Sequence, residues 1–113
     1  MILPAAERAV IDPVKIRDYL LSASHPVGRF KAAFFANLGY TSDNWRSLEA
    51  DLRELAVSGD EEPGQESPYG RKYQVRGTLK GPAGKSAEVV TVWIILAGGD
   101  VPQFVTVFPG GKI

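Results

Sequence analysis

The amino-acid sequence predicts an α+β domain, with N-terminal helices packed on one face of a small antiparallel β-sheet meander. Three observations carry this. Apolar residues recur at helical spacing through residues 1–58. From residue 69 onward they alternate, or run in β-branched blocks. The two patterns do not interleave, and helices followed by strands favour segregated layers over a parallel sheet with crossover helices.

The first helix starts at Asp12-Pro13, where Asp caps free amides and Pro fits a turn that needs no donor. Val14, Ile16, Tyr19, Leu20 and Leu21 follow, and it ends near Ser22. The second starts at Ser24-His25-Pro26, carries Val27, Phe30, Phe34 and Leu38, and stops at Gly39. The third begins after Thr41-Ser42 with Trp45, Leu48, Leu52 and Leu55 on one stripe, and runs out near Ser58-Gly59. Residues 59–68 (GDEEPGQESP) are acidic and aperiodic and predict a loop. Tyr69 to Lys80 alternates, with Tyr73, Val75 and Leu79 on one face and Lys72, Gln74, Arg76, Thr78 and Lys80 on the other. A turn at residues 81–84 leads to Ser86–Leu96, an apolar β-branched run that suits a central strand. Gln103 to Phe108 is the last strand. The chain reads as one domain over residues 1–113: a helical half (1–58), an acidic loop (59–68) and strands (69–109).

Pairing Lys80 with Lys85 across the turn sets Val90 opposite Val75 and Val92 opposite Tyr73, an apolar face for the helices to cover. It leaves Thr91 opposite Gln74, Trp93 opposite Lys72 and Val89 opposite Arg76 on the far face. A slip of one residue exchanges the two sets. It sets Val90, Val92, Ile94 and Leu96 among basic residues, so the first register is preferred. On the far face Trp93 can stack on a base while Lys72 and Arg76 hold phosphate. The bland alternative is a Trp covered by a loop beside solvated cations.

The composition excludes several classes. There is no cysteine, so disulfides and thiolate metal sites are ruled out, and the lone histidine leaves no paired-histidine metal motif. No apolar run reaches the roughly 18 residues of a membrane span. The N-terminus lacks the basic start and long apolar stretch of a signal peptide, so the expected compartment is the cytosol. Thirteen basic and thirteen acidic side chains cancel. By segment they do not: residues 58–70 hold four acidic groups and no basic one, and residues 71–113 hold six basic and two acidic. A basic sheet suits RNA or an acidic protein partner.

His25 sits at a helix start, where free amides attract anions, and Arg29 lies in the first turn. Lys31 falls within or beside the apolar stripe. Its bland account is a stem covering apolar surface with the head snorkelling to water. The sharper account is a metal-independent ribonuclease. Such an enzyme needs a base for the 2′-hydroxyl proton, an acid for the leaving 5′-oxygen and donors around the phosphorane-like transition state. His25, Lys31, Arg29 and the Thr91/Trp93 face supply these groups if they converge. Helices must cover one sheet face while His25 and Lys31 reach the other, so the site has to lie at a rim.

The stretch LPAAERAVIDPVKIRDYLLSASHPVGRFKAAFFANLGY, the segment VTVWII and the closing FVTVFP resemble a bacterial domain family of unnamed function. Its members occur as C-terminal tips of polymorphic and contact-dependent toxins and as small stand-alone proteins. The family is similar to the barnase, EndoU, colicin D and RelE-type group of metal-independent RNases. The resemblance implies an RNase-toxin-like fold with no cofactor and no metal. It matches His25 and Lys31 to a helix-borne His and Lys, Thr91 and Trp93 to a T/S-x-W pair, and Thr106 to a last-strand hydroxyl. It also implies a cognate immunity or antitoxin protein and an RNA substrate, tRNA being one such target in the group. One departure stands out: relatives often carry Tyr before the final Pro, and here it is Phe108.

The sequence therefore carries two readings. The first is an endoribonuclease leaving a 2′,3′-cyclic phosphate, with His25, Lys31, Thr91 and Thr106 catalytic and Arg29, Lys72, Arg76 and Trp93 binding RNA. The second is a non-catalytic protein- or RNA-binding module, such as a degenerate toxin or an antitoxin-like partner, favoured by the zero net charge and Phe108.

Overall fold

The computed structural model describes residues 3–22 and 29–110. A 3₁₀ turn (Ala6–Arg8) and a π-helix (Lys15–Leu20) lead into α1 (Arg29–Leu38) and α2 (Trp45–Ser58). Four strands follow: β1 (Asp60–Ser67), β2 (Gly70–Lys80), β3 (Ser86–Leu96) and β4 (Gln103–Pro109). They form one open antiparallel sheet in sequence order, so the α+β meander is as expected.

The helix boundaries follow local chemistry. Asp12 Oδ1 accepts the Val14 N–H at 3.0 Å, the cap anticipated for the first helix. The turns behind it are wide: Leu21 N–H bonds Ile16 O, five residues back, at 3.0 Å. Ile16 and Leu20 are buried in the core. On α1 burial centres on Phe35 and Leu38, with Phe34 only partly covered. Lys31, Phe35 and Leu38 thus share one stripe. Gly39 at φ +102° ends the helix, a conformation L-residues avoid. Leu38 O then accepts Ala83 N–H at 3.0 Å, docking α1 on the β2–β3 turn. On α2, Leu48, Leu52 and Leu55 are buried as their spacing predicts. Tyr40 ties the helices to the sheet: its hydroxyl donates to Asp51, and Lys80 O lies 3.3 Å away. Burial, then the Asp51 hydrogen bond and charge, hold this phenol well above its ordinary range.

Two expectations are corrected. The acidic segment 59–68 is no loop: Asp60–Ser67 pairs with β2 along an edge, through a register shift between Pro63 and Glu66. Backbone pairing overrides composition here, and charge, Pro and a bulge are what an unpaired edge tolerates. Glu61 pays for it: the side chain is buried opposite Val75, and neither carboxylate oxygen has a partner among the described residues.

The second correction is the β2–β3 register. Lys80 pairs with Ser86, so Val75 faces Thr91, Tyr73 faces Trp93, Arg76 faces Val90 and Lys72 faces Ile94. This is the register that sequence patterning disfavoured. Thr91 and Trp93 therefore lie on the helix-covered face, each 0% exposed. The Trp93 indole N–H donates to Thr91 Oγ1 at 2.8 Å, and Thr91 Oγ1 donates to Val75 O at 3.0 Å. A slipped pairing would bring the largest apolar side chain of the sheet to the open face and leave the core without it.

Two stability predictions follow from these buried groups. Thr91→Val keeps the shape but leaves the indole N–H without its acceptor, an expected loss of about 1–3 kcal/mol in urea unfolding, whereas Thr91→Ser retains the chain of bonds. Parent-like stability of Thr91→Val would contradict the register. Glu61→Val removes an unpartnered carboxylate and is expected to raise stability by about 1 kcal/mol or more in the same measurement.

Candidate functional site

The last strand brings distant parts of the chain together. β4 is an edge strand, and its outer side is occupied in sequence. Val10 N–H bonds Pro102 O at 2.9 Å, and Phe104 N–H bonds Val10 O at 2.8 Å, a short parallel bridge. Next along the edge, Lys15 Nζ donates to Phe104 O at 3.0 Å. Beyond it, Lys31 Nζ donates to Thr106 Oγ1 at 2.8 Å. Tyr19 lies under the same ammonium, its ring centroid 5.7 Å from Lys31 Nζ.

A bulge opens the strand at this point. Trp93 pairs with Phe104 and Val92 with Thr106, so one extra residue, Val105, intervenes on β4 where none is regular. Phe104 and Val107, three residues apart, are consequently both buried, while Val105 and Thr106 are half-buried. On the helical side, Lys15 and Tyr19 are four residues apart in the π-helix and both reach the β4 side.

Of the residues singled out from sequence, Lys31 and Thr106 meet here, 75 positions apart in the chain. The contact lies at a rim of the sheet. Arg29 opens α1, two residues before Lys31. His25 lies outside the described residues. Thr91 and Trp93 are elsewhere: they are core residues on the covered face, and a fully enclosed Trp93 ring offers no surface for a base. Lys72 and Arg76 are exposed on the opposite face, as their alternation predicts, but they flank Ile94 and Val90 rather than Trp93. They sit two strands from β4, roughly 10 Å away. Arg76 is also engaged, its Nη1 donating to Gly110 O at 2.8 Å. Sequence reading missed Lys15. The spacing of Lys15 and Tyr19 was visible, but the Val10 bridge that seats the segment on β4 has no local signature.

Burial lowers the proton affinity of the Lys31 amine. A half-buried ammonium bonded to a hydroxyl is at once a cation for a phosphate and a proton donor closer to neutrality than an exposed lysine. A cleft of about 640 Å³ opens between the π-helix and α1, floored by Ala32, Ala33 and Ala36 and rimmed by Arg17, Thr41 and Ser42; Lys31 does not line it. Among the described residues no cluster of carboxylates stands close enough to hold a metal ion, and no helix is long and apolar enough to cross a membrane.

The depressed Lys31 value has a defined consequence for stability. Between the folded value and the unfolded value near 10.5, the unfolded chain holds this proton and the folded chain does not, so stability rises with pH in that window. Below the folded value the desolvation cost is present in full. The parent is expected to gain stability relative to Lys31→Met as pH climbs toward 10.5, read by chemical unfolding at stepped pH. A difference that stays flat would show that the Lys31 amine is not desolvated.

A solved chain from the "Contact-dependent growth inhibition toxin - immunity protein complex from Klebsiella pneumoniae 342" superimposes with a TM-score of 0.71. The match covers 96% of this chain and 98% of that one at 18% identity, a likeness of fold. No curated protein matches the sequence. The model of one family spans residues 2–111, nearly every residue from the first helical segment through β4, and the chain belongs to that family, described as a domain of unknown function (DUF6883).

Proposed function

We infer that the protein is a toxin-type endoribonuclease that cleaves RNA by internal transesterification, with Lys31 and Thr106 at its centre. The observation that carries this reading is the 2.8 Å contact between the Lys31 ammonium and the Thr106 hydroxyl at the sheet rim. Two polar residues of the resemblance, far apart in sequence, form one polar site. The fold shared with a chain of a toxin–immunity complex supports the toxin assignment. A cognate immunity protein is the corresponding partner, and the cytoplasm, where RNA is found, is the place of action.

In the reaction the 2′-hydroxyl attacks phosphorus, forming the P–O2′ bond while the P–O5′ bond breaks. One group takes the 2′ proton and another delivers a proton to the departing 5′-oxygen, leaving a 2′,3′-cyclic phosphate and a 5′-hydroxyl. Lys31 stabilises the charge that builds on the equatorial oxygens, and Thr106 holds its ammonium in place. His25, six positions before Lys31 in the sequence, serves one of the two proton transfers as acid or base, and Lys31 serves the other. Lys72, Arg76 and Arg29 supply cations for more distant parts of the RNA backbone. Thr91 and Trp93 contribute through the core and not by contact with substrate.

The burial of Thr91 and Trp93 favours a second reading, a non-catalytic binding module of the same fold. It removes two residues from the expected site, and Phe108 removes a phenol.

The experiment is induced expression in bacteria together with RNA cleavage by purified protein in EDTA. Growth arrest and fragments ending in 2′,3′-cyclic phosphate are expected, with His25→Ala and Lys31→Met each slower by about 10²–10⁴-fold. Harmless expression with intact RNA would leave the binding module as the answer. Cleavage that vanishes in EDTA would refute the metal-free mechanism.

A further inference from the structure

Two ammonium groups from separate elements are fastened to one short stretch of the β4 edge. Lys15 Nζ is on Phe104 O at 3.0 Å and Lys31 Nζ is on Thr106 Oγ1 at 2.8 Å. The anchors are two residues apart, on the order of 6–7 Å along an extended chain. An ammonium carries three donors, and each of these contacts uses one. The ion pairs formed among the described residues are Arg8–Asp100 and Arg17–Asp18, so neither lysine is neutralised there. The acids of the same segment are otherwise engaged: Asp18 by Arg17, and Asp12 by the Val14 amide. Capping of the strand edge accounts for one lysine. It does not account for a second cation anchored two residues further on, whose charge the Tyr19 ring offsets only in part and an anion between the two would offset further.

We propose that Lys15 and Lys31 form a two-ammonium cradle on the β4 edge for the phosphodiester backbone of single-stranded RNA. Lys31 faces the phosphate that reacts, and Lys15 holds the neighbouring one, making Lys15 a binding residue that fixes the register of the strand in the site. The identity of the anion rests on the ribonuclease reading; the cradle itself rests on the geometry.

The test uses the full chain and a short 2′-O-methyl RNA, which lacks the attacking hydroxyl and is not cleaved. Its affinity is measured between about 50 and 200 mM salt, where each phosphate contact on a single strand contributes a slope of about −0.7 in log K against log salt. Lys15→Gln is expected to lose about one such increment and to bind several-fold more weakly at the low-salt end, with Lys15→Arg retaining the parent slope. Thermal melts of the variants separate lost contact from lost fold. Inorganic phosphate titrated into the parent, followed by amide NMR, covers the case of an unstable variant: saturable shifts centred on Lys15, Phe104 and Thr106 support the cradle. A folded Lys15→Gln with unchanged slope, or phosphate shifts that avoid β4, would overturn it. The outcomes also separate the two claims. A chain that never cuts RNA yet loses one increment with Lys15→Gln keeps the cradle and loses the nuclease, and a chain that cuts RNA with no change on Lys15→Gln does the reverse.

Discussion

The fold depends on one buried chain of hydrogen bonds, from the Trp93 indole to Thr91 Oγ1 and on to Val75 O. An indole N–H enclosed without an acceptor is costly, and so is an unbonded hydroxyl. Thr91 meets both needs while filling the volume of a valine. Because the bonds link neighbouring β2 and β3 residues, they hold only in the observed pairing of Val75 with Thr91. The register in turn decides which face each side chain of β2 and β3 occupies. Trp93 then packs edge to face on Phe104, with ring centroids 5.4 Å apart, which carries the constraint across to β4.

From there the consequences run to the rim. Phe104 must meet Trp93 and Val107 must meet Thr91, although three positions separate Phe104 from Val107, and the bulge absorbs the extra residue. The irregularity brings Thr106 to Lys31. The same strand is bound along its outer edge by Val10, Lys15 and Lys31, so the N-terminal third of the chain closes the C-terminal strand. An exposed strand edge, a liability for aggregation, is covered by the groups that form the polar site. Stability and candidate chemistry thus share atoms at β4.

The charge distribution acquires a structural meaning in the same way. The acidic segment lies on the opposite edge of the sheet, at β1, and the two lysines lie at β4. Asp60 and Glu66 of β1 pair with Arg76 and Arg71 of β2, and the two lysines stand at the far edge. Zero net charge therefore coexists with an uneven distribution of charge across the sheet.

The sequence by itself determined the layer order, the two longer helices, the three C-terminal strands and the outward alternation of Lys72 and Arg76. Each rests on local periodicity or capping chemistry: Asp12 as a cap, Gly39 as a stop, and Leu48, Leu52 and Leu55 on one stripe. It also singled out Lys31, because a cation in an apolar stripe is a local anomaly. Only the tertiary structure decided three things. It made a strand of Asp60–Ser67, because pairing with β2 outweighs an acidic, Pro-containing composition. It chose the β2–β3 register, because a run apolar on both faces presents two equivalent patterns and the core selects the one that buries Trp93. It joined Lys15 and Lys31 to β4, because contacts spanning 89 and 75 positions depend on how the helical half docks, which no local pattern encodes.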